Sequence, residues 1–145
     1  MADDIKITID PPADINVTVE QGVFIIPSGA SFLRKIADIP LSGHRAVYIK
    51  DNSKVNYADK DDATSALMLL GITVSAADAD MPVDVQYGGE LVEPSWNWVV
   101  NSPVYLGNSG VLTQTLPTTG LIRQIGIPSS PTSLFIEIQP IIKLI

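Results

Sequence analysis

Val47-Tyr48-Ile49, Asn52-Ser53-Lys54-Val55, Leu70-Gly71-Ile72 and Val83-Asp84-Val85-Gln86 decide the fold, because the same succession returns further along the chain. It returns as Val104-Tyr105-Leu106, Asn108-Ser109-Gly110-Val111, Ile125-Gly126-Ile127 and Ile136-Glu137-Ile138-Gln139, with the offset falling from 57 to 53 residues. Each copy reads as a strand, a polar turn, a second strand, a longer excursion to a glycine-centred strand, and a last strand ending in Gln. Repeated strand patterns of this kind imply two similar β units, spanning about 46–87 and 103–139, that close into one small barrel or sandwich and cover each other's edges.

The rest of the chain agrees with a mainly β reading. Strand patterns are expected over Ala46–Lys50, Lys54–Tyr57, Gly71–Ser75, Val83–Tyr87, Trp96–Val100, Val104–Gly107, Val111–Thr115, Leu121–Ile127 and Ser133–Gln139. Turn chemistry falls between them at Asp51-Asn52-Ser53, Gly88-Gly89, Asn108-Ser109-Gly110 and Pro128–Pro131. Only Asp62–Leu70 reads as helix, with Asp62 as N-cap and Gly71 just past the last leucine. Residues 1 to 30 read as an extended strand-forming arm preceding a domain over 31 to 145. Ile5, Ile7 and Ile9 share one face of a strand, as do Ile15, Val17 and Val19, and Pro11-Pro12 separates the two runs. Either both runs pair within their own domain, or at least the first pairs with a neighbouring subunit or with another protein.

At 145 residues the chain fits one domain with an arm, and this length can bury roughly two-thirds of its unfolded surface. It has no cysteine, which excludes disulfides, thiol nucleophiles and thiolate zinc sites. Sixteen acidic against nine basic residues give a net charge of −7, with no basic patch for phosphates, so nucleic acid is not an expected partner. No apolar run approaches the ~20 residues of a membrane span, and Met1-Ala2-Asp3-Asp4 is acidic where a secretory signal would be basic. No membrane partner is expected, and synthesis in a cytoplasm is.

The charge is unevenly spread. Residues 94 to 145 carry only Arg123, Glu137 and Lys143, far below the ~25–35% of an ordinary solvated surface. Either Ser, Thr, Asn and Gln hydrate this half, or it is buried against other subunits.

No catalytic, cofactor or metal constellation emerges. His44 is the only histidine, in Ser42-Gly43-His44-Arg45, and reads as a turn residue. Asp59-Lys60-Asp61-Asp62 lacks the spacing, glycine and late glutamate of a calcium loop. Trp96-Asn97-Trp98 is the most distinctive short motif. At strand spacing its indoles share one face and form a plate that could stack on a sugar, anchor a subunit interface or fill the core.

Glu90–Trp98, Pro103-Val104-Tyr105-Leu106-Gly107, Gly110–Thr115, Pro117–Gly120, Gln124–Ile127 and Ile138–Leu144 together resemble small structural proteins of tailed bacteriophages, as do Gly43–Val47 and Leu70–Thr73 upstream. The resemblance covers roughly residues 43 to 145 and is to the β-rich capsid decoration, or cement, proteins. It implies a non-enzymatic homo-oligomer, a homotrimer, that binds the major capsid protein on the outer face of the assembled head and stabilises it. The location implied is the virion surface after synthesis in the host bacterium. Ile5, Ile7, Ile9, Trp96, Trp98 and Tyr105 are the candidate subunit or capsid contacts. The alternative is a tail fibre-attachment or receptor-binding module, for which the Trp plate and the Thr/Gln loops would supply the contacts.

Overall fold

The computed structural model describes residues 29–143. The arm, with Ile5, Ile7 and Ile9, lies outside the described residues except for its last two positions. The first unit comprises β1 (Ser31–Ala37), β2 (Ala46–Ile49), β3 (Lys54–Tyr57), helix α1 (Ala63–Leu67), β4 (Leu69–Thr73) and the first part of β5 (Pro82–Val92). Its strands run in the order β1-β3-β2-β4-β5, and β5 pairs back to β1, so the unit is a closed five-stranded barrel. The β1–β3 pair is parallel and every other pair is antiparallel. Short side chains suit so narrow a barrel. Its core is Ala37, Leu41, Val47, Val55, Val83 and Val85, all buried.

The second unit comprises β6 (Val104–Leu106), β7 (Leu112–Thr113), β8 (Leu121–Ile122), β9 (Gln124–Ser130), β10 (Ser133–Ile136) and β11 (Ile142–Lys143). The sheet runs on from β5 through β10, β9 and β6 to β7, while β8 and β11 form a separate two-stranded ladder. A second core lies between this sheet and the barrel wall. Ala46, Ala58, Ala66, Leu69 and Ile72 from the barrel unit meet Leu91, Val104, Leu106, Ile125, Leu134 and Ile136 there.

The two units share connectivity and register. Tyr48 pairs with Asn56 as Tyr105 pairs with Thr113, and Val47 pairs with Gly71 as Val104 pairs with Gly126. The ladder shifts register immediately after Val47 and, in the same place, after Val104. The fourth strand corrects the sequence alignment. Gly71 packs on the Gln86 carbonyl and Gly126 on that of Phe135, an offset of 49 residues (135 minus 86) instead of 53. Val83–Gln86 therefore matches a stretch four residues earlier than Ile136–Gln139.

Other elements also differ from expectation. β1 was not expected, because Phe32-Leu33-Arg34-Lys35-Ile36 does not alternate. Tertiary pairing makes it a strand: Leu33 and Lys35 face the buried Val85 and Val83, and Arg34 forms an ion pair with Asp84 at 2.8 Å. Gly88-Gly89 is not a turn; β5 continues through it, bent but unbroken. Leu121–Ile127 breaks at Arg123, whose carbonyl accepts from Leu106 N, giving β8 and β9. β7 ends at Thr113, and β10 ends at Ile136, although Glu137 and Gln139 still donate to Ile125 and Gln124. Asp62 does cap α1, accepting from Thr64 N at 3.2 Å, but the helix ends at Leu67 and Gly71 sits inside β4.

A Cβ on Gly71 would collide with the Gln86 carbonyl oxygen, and one on Gly126 with that of Phe135. Backbone cannot retreat as a side chain can, so overpacking here is costly. Gly71→Ala and Gly126→Ala should each lower stability by about 1–3 kcal/mol, measured by urea denaturation.

Candidate interaction surface

Three groupings stand out on this scaffold. The first is at the junction of the two units. Trp96 and Trp98 follow β5 in an irregular segment, not the strand expected over Trp96–Val100. Trp96 N bonds the Glu93 carbonyl in a turn after Pro94, and Trp98 N bonds the Pro131 carbonyl beside β9 and β10. The indoles are 5.2 Å apart at 52°, so they form no flat plate. Both are half-buried and pack on the second core. His44 meets Trp96 edge-to-face at 5.4 Å, and its Nε2 lies 3.7 Å from Glu93 Oε1. This contact ties the barrel to the segment leaving β5, as aromatic pairs do. Glu93 accepts from Ser95 N at 2.8 Å, and that bonding holds its carboxyl below the usual range.

The second grouping joins the Asp59–Asp62 loop to the β6–β7 turn. Asp59 accepts from Asp61 N, Ser109 N and the Asn108 amide at 2.8–2.9 Å. Asp61 accepts from the same amide at 2.7 Å. Lys60 donates to the Thr119 carbonyl and hydroxyl at 3.0 Å each and to Asp61 at 3.2 Å. The acids are therefore tied down by neighbouring backbone, amide and ammonium groups. The sequence showed only that Asp59–Asp62 is no calcium loop, because its partners Asn108, Ser109 and Thr119 come from some 50 residues away.

The third grouping is apolar and exposed. Val99, Val111, Leu116, Phe135 and Ile142 of the charge-poor half all reach solvent, Leu116 at 53% and Ile142 at 61% of their full area. Leu116 stands between two hollows. One, of about 430 Å³, is lined by β7 and the Thr115–Thr119 loop; the other, of about 450 Å³, lies between Tyr105, Ile122, Pro140 and Ile142. Tyr105 is the sequence-chosen residue that lines this surface, and Trp96 and Trp98 lie at the junction instead. Leu116, Val111 and Ile142 were missed. The available signal was an isolated leucine inside the polar run Thr113–Gly120.

β7 has no strand on its outer edge among the described residues. In the barrel the corresponding gap is closed by β1. Here the Gln114 side chain does part of that work, accepting from Val99 N and donating to the Val99 and Ser102 carbonyls at 2.7–2.9 Å. The second unit is thus an open version of the first.

No protein-family model matches this chain, and neither does any curated protein.

The Asp59 network gives a pH signature. Burial pushes the Asp59 carboxyl up, but the bonds from Asp61 N, Ser109 N and Asn108 outweigh it and leave the group below its ordinary value. A depressed carboxyl contributes stability above its unfolded value of ~3.9, lost as pH falls through the folded value. Asp59→Ala should cost about 1–3 kcal/mol at pH 7 by urea denaturation, and the gap to wild type should narrow below about pH 4.

Proposed function

We propose that this chain is a capsid decoration protein of a tailed bacteriophage, a virion structural protein and not an enzyme. It binds the major capsid protein on the outside of the assembled head and works as a homo-oligomer, the homotrimer of the family it resembles. The observation that carries the reading is the charge-poor half. Between residues 94 and 145 there are three charged side chains, yet large apolar residues there reach solvent. A surface with exposed valine, leucine, phenylalanine and isoleucine and almost no charge has the composition of an interface core.

The mechanism is mass action. A protein that binds only the closed shell stabilises that shell by its binding free energy at every site, and small contributions add up over many copies. A β scaffold with a closed barrel suits this task, since binding alone does the work. For the receptor-binding alternative, the tilted and half-buried tryptophans offer no platform for a sugar ring.

Undecorated heads mixed with the purified protein should take up hundreds of copies each, counted by quantitative gel or mass spectrometry. They should also withstand a higher temperature before releasing DNA. A few dozen copies or fewer per virion, all on the tail, would refute the reading.

A further inference from the structure

We infer that the Leu116 surface is a contact between copies of this chain. The inference rests on the homo-oligomeric part of the function proposed above, and it names the face. Val111, Thr115 and Leu116 line one hollow; Leu116, Ile122, Pro140 and Ile142 line the other. The leucine is therefore a knob with a socket on either side, of about 430 and 450 Å³.

Charge selects the occupant. Among the described residues, Lys60 is the only charged one lining either hollow, and it is already held by Asp61 and Thr119. Arg123, next to Ile122, donates from one guanidinium nitrogen to the Ala66 and Leu67 carbonyls, and Lys143, next to Ile142, is exposed and lines neither hollow. A charged group entering either hollow would find no free counter-ion in the described lining and would bury its own charge at a cost. An uncharged apolar face fits, and the chain itself carries one. Elsewhere copies repel: residues 1 to 93 hold fifteen acids and seven bases, a balance of −8, whereas residues 94 to 145 balance at +1. A patch without charge can meet a second copy without burying charge, whether the two are related by a two-fold or head to tail around a ring. The knob of one copy seated in a socket of the next hides both from water.

The test uses the full-length protein alone, without heads, so that its outcome is separate from capsid binding. Sedimentation at micromolar concentration should give two or three times the monomer mass for wild type. Leu116→Lys should weaken association at least about tenfold, the scale of losing one buried leucine. Met81→Lys, equally exposed at 53% but in the acidic half, should leave the mass unchanged. Should Leu116→Lys fail to fold, Leu116→Ser and hydrogen exchange on wild type decide: exchange over residues 111–122 should slow as concentration rises. A monomeric wild type overturns the contact, as does a Leu116 variant that associates like wild type. Protection of 111–122 that is independent of concentration, at monomer mass, would give the hollows to the chain's own first 28 residues and also overturn it.

Discussion

Both halves of this protein hang on the bend in β5 at Gly88-Gly89. Before the bend, Val83 and Val85 fill the barrel while Gln86 faces the other way, beside Ile72 and the second core. After it, Leu91 faces the second core. Residues 86 and 91 differ in parity, so an unbent strand would point one of them away. A one-residue slip in phase is what a bulge supplies. Gly89 adopts φ +83°, and a Cβ there would lie 2.5 Å from Ala30 and Gly29 backbone. Gln86, 1% exposed, donates to the Gly88 and Glu90 carbonyls at 3.0 Å each, satisfying groups the bend would otherwise strand. Two cores are thereby served by one eleven-residue strand.

That sharing makes the units unequal. In the barrel, β1 pairs with both β5 and β3 and removes every edge. In the second unit the distal part of β5 takes the place of β1, pairing with β10, but the chain then leaves through Pro94 and the tryptophans and never reaches β7. Gln114 bridges what remains. Large apolar residues reach solvent in both units, but the closed unit keeps most of the charge, so only in the open one do they stand among almost no charged groups. The barrel is closed on itself, whereas the open unit leaves the outer edge of β7 without a strand among the described residues.

Much of the fold was legible because the repeat is local. Val-Tyr-Ile and Val-Tyr-Leu hairpins, the Asp62 cap and the two glycine-centred strands announce themselves through alternation and capping chemistry. What escaped was set by distant partners. Phe32-Leu33-Arg34-Lys35-Ile36 becomes a strand through β5, not through its own pattern, and Gly88-Gly89 reads as a turn unless its neighbours Gly29 and Ala30 are known. Trp96 and Trp98 alternate like strand residues, yet Pro94 and the bonds to Glu93 and Pro131 hold them in an irregular segment. The charge asymmetry was visible in the sequence. The exposed Leu116 knob was not, since burial depends on the whole fold.

Equilibrium urea unfolding of wild type, Gly88→Ala and Gly89→Ala, followed at once by tryptophan fluorescence and far-ultraviolet circular dichroism, tests the shared strand most directly. Both tryptophans lie just past β5, so fluorescence reports the junction while dichroism reports the whole sheet. The account predicts one coincident transition for wild type. Gly89→Ala should move both signals together by about 2–3 kcal/mol, from left-handed strain plus the backbone clash. Gly88→Ala, whose nearest contact for an added Cβ is 3.7 Å, should cost no more than about 1 kcal/mol. Two separated transitions, or equal losses from the two glycines, would contradict it.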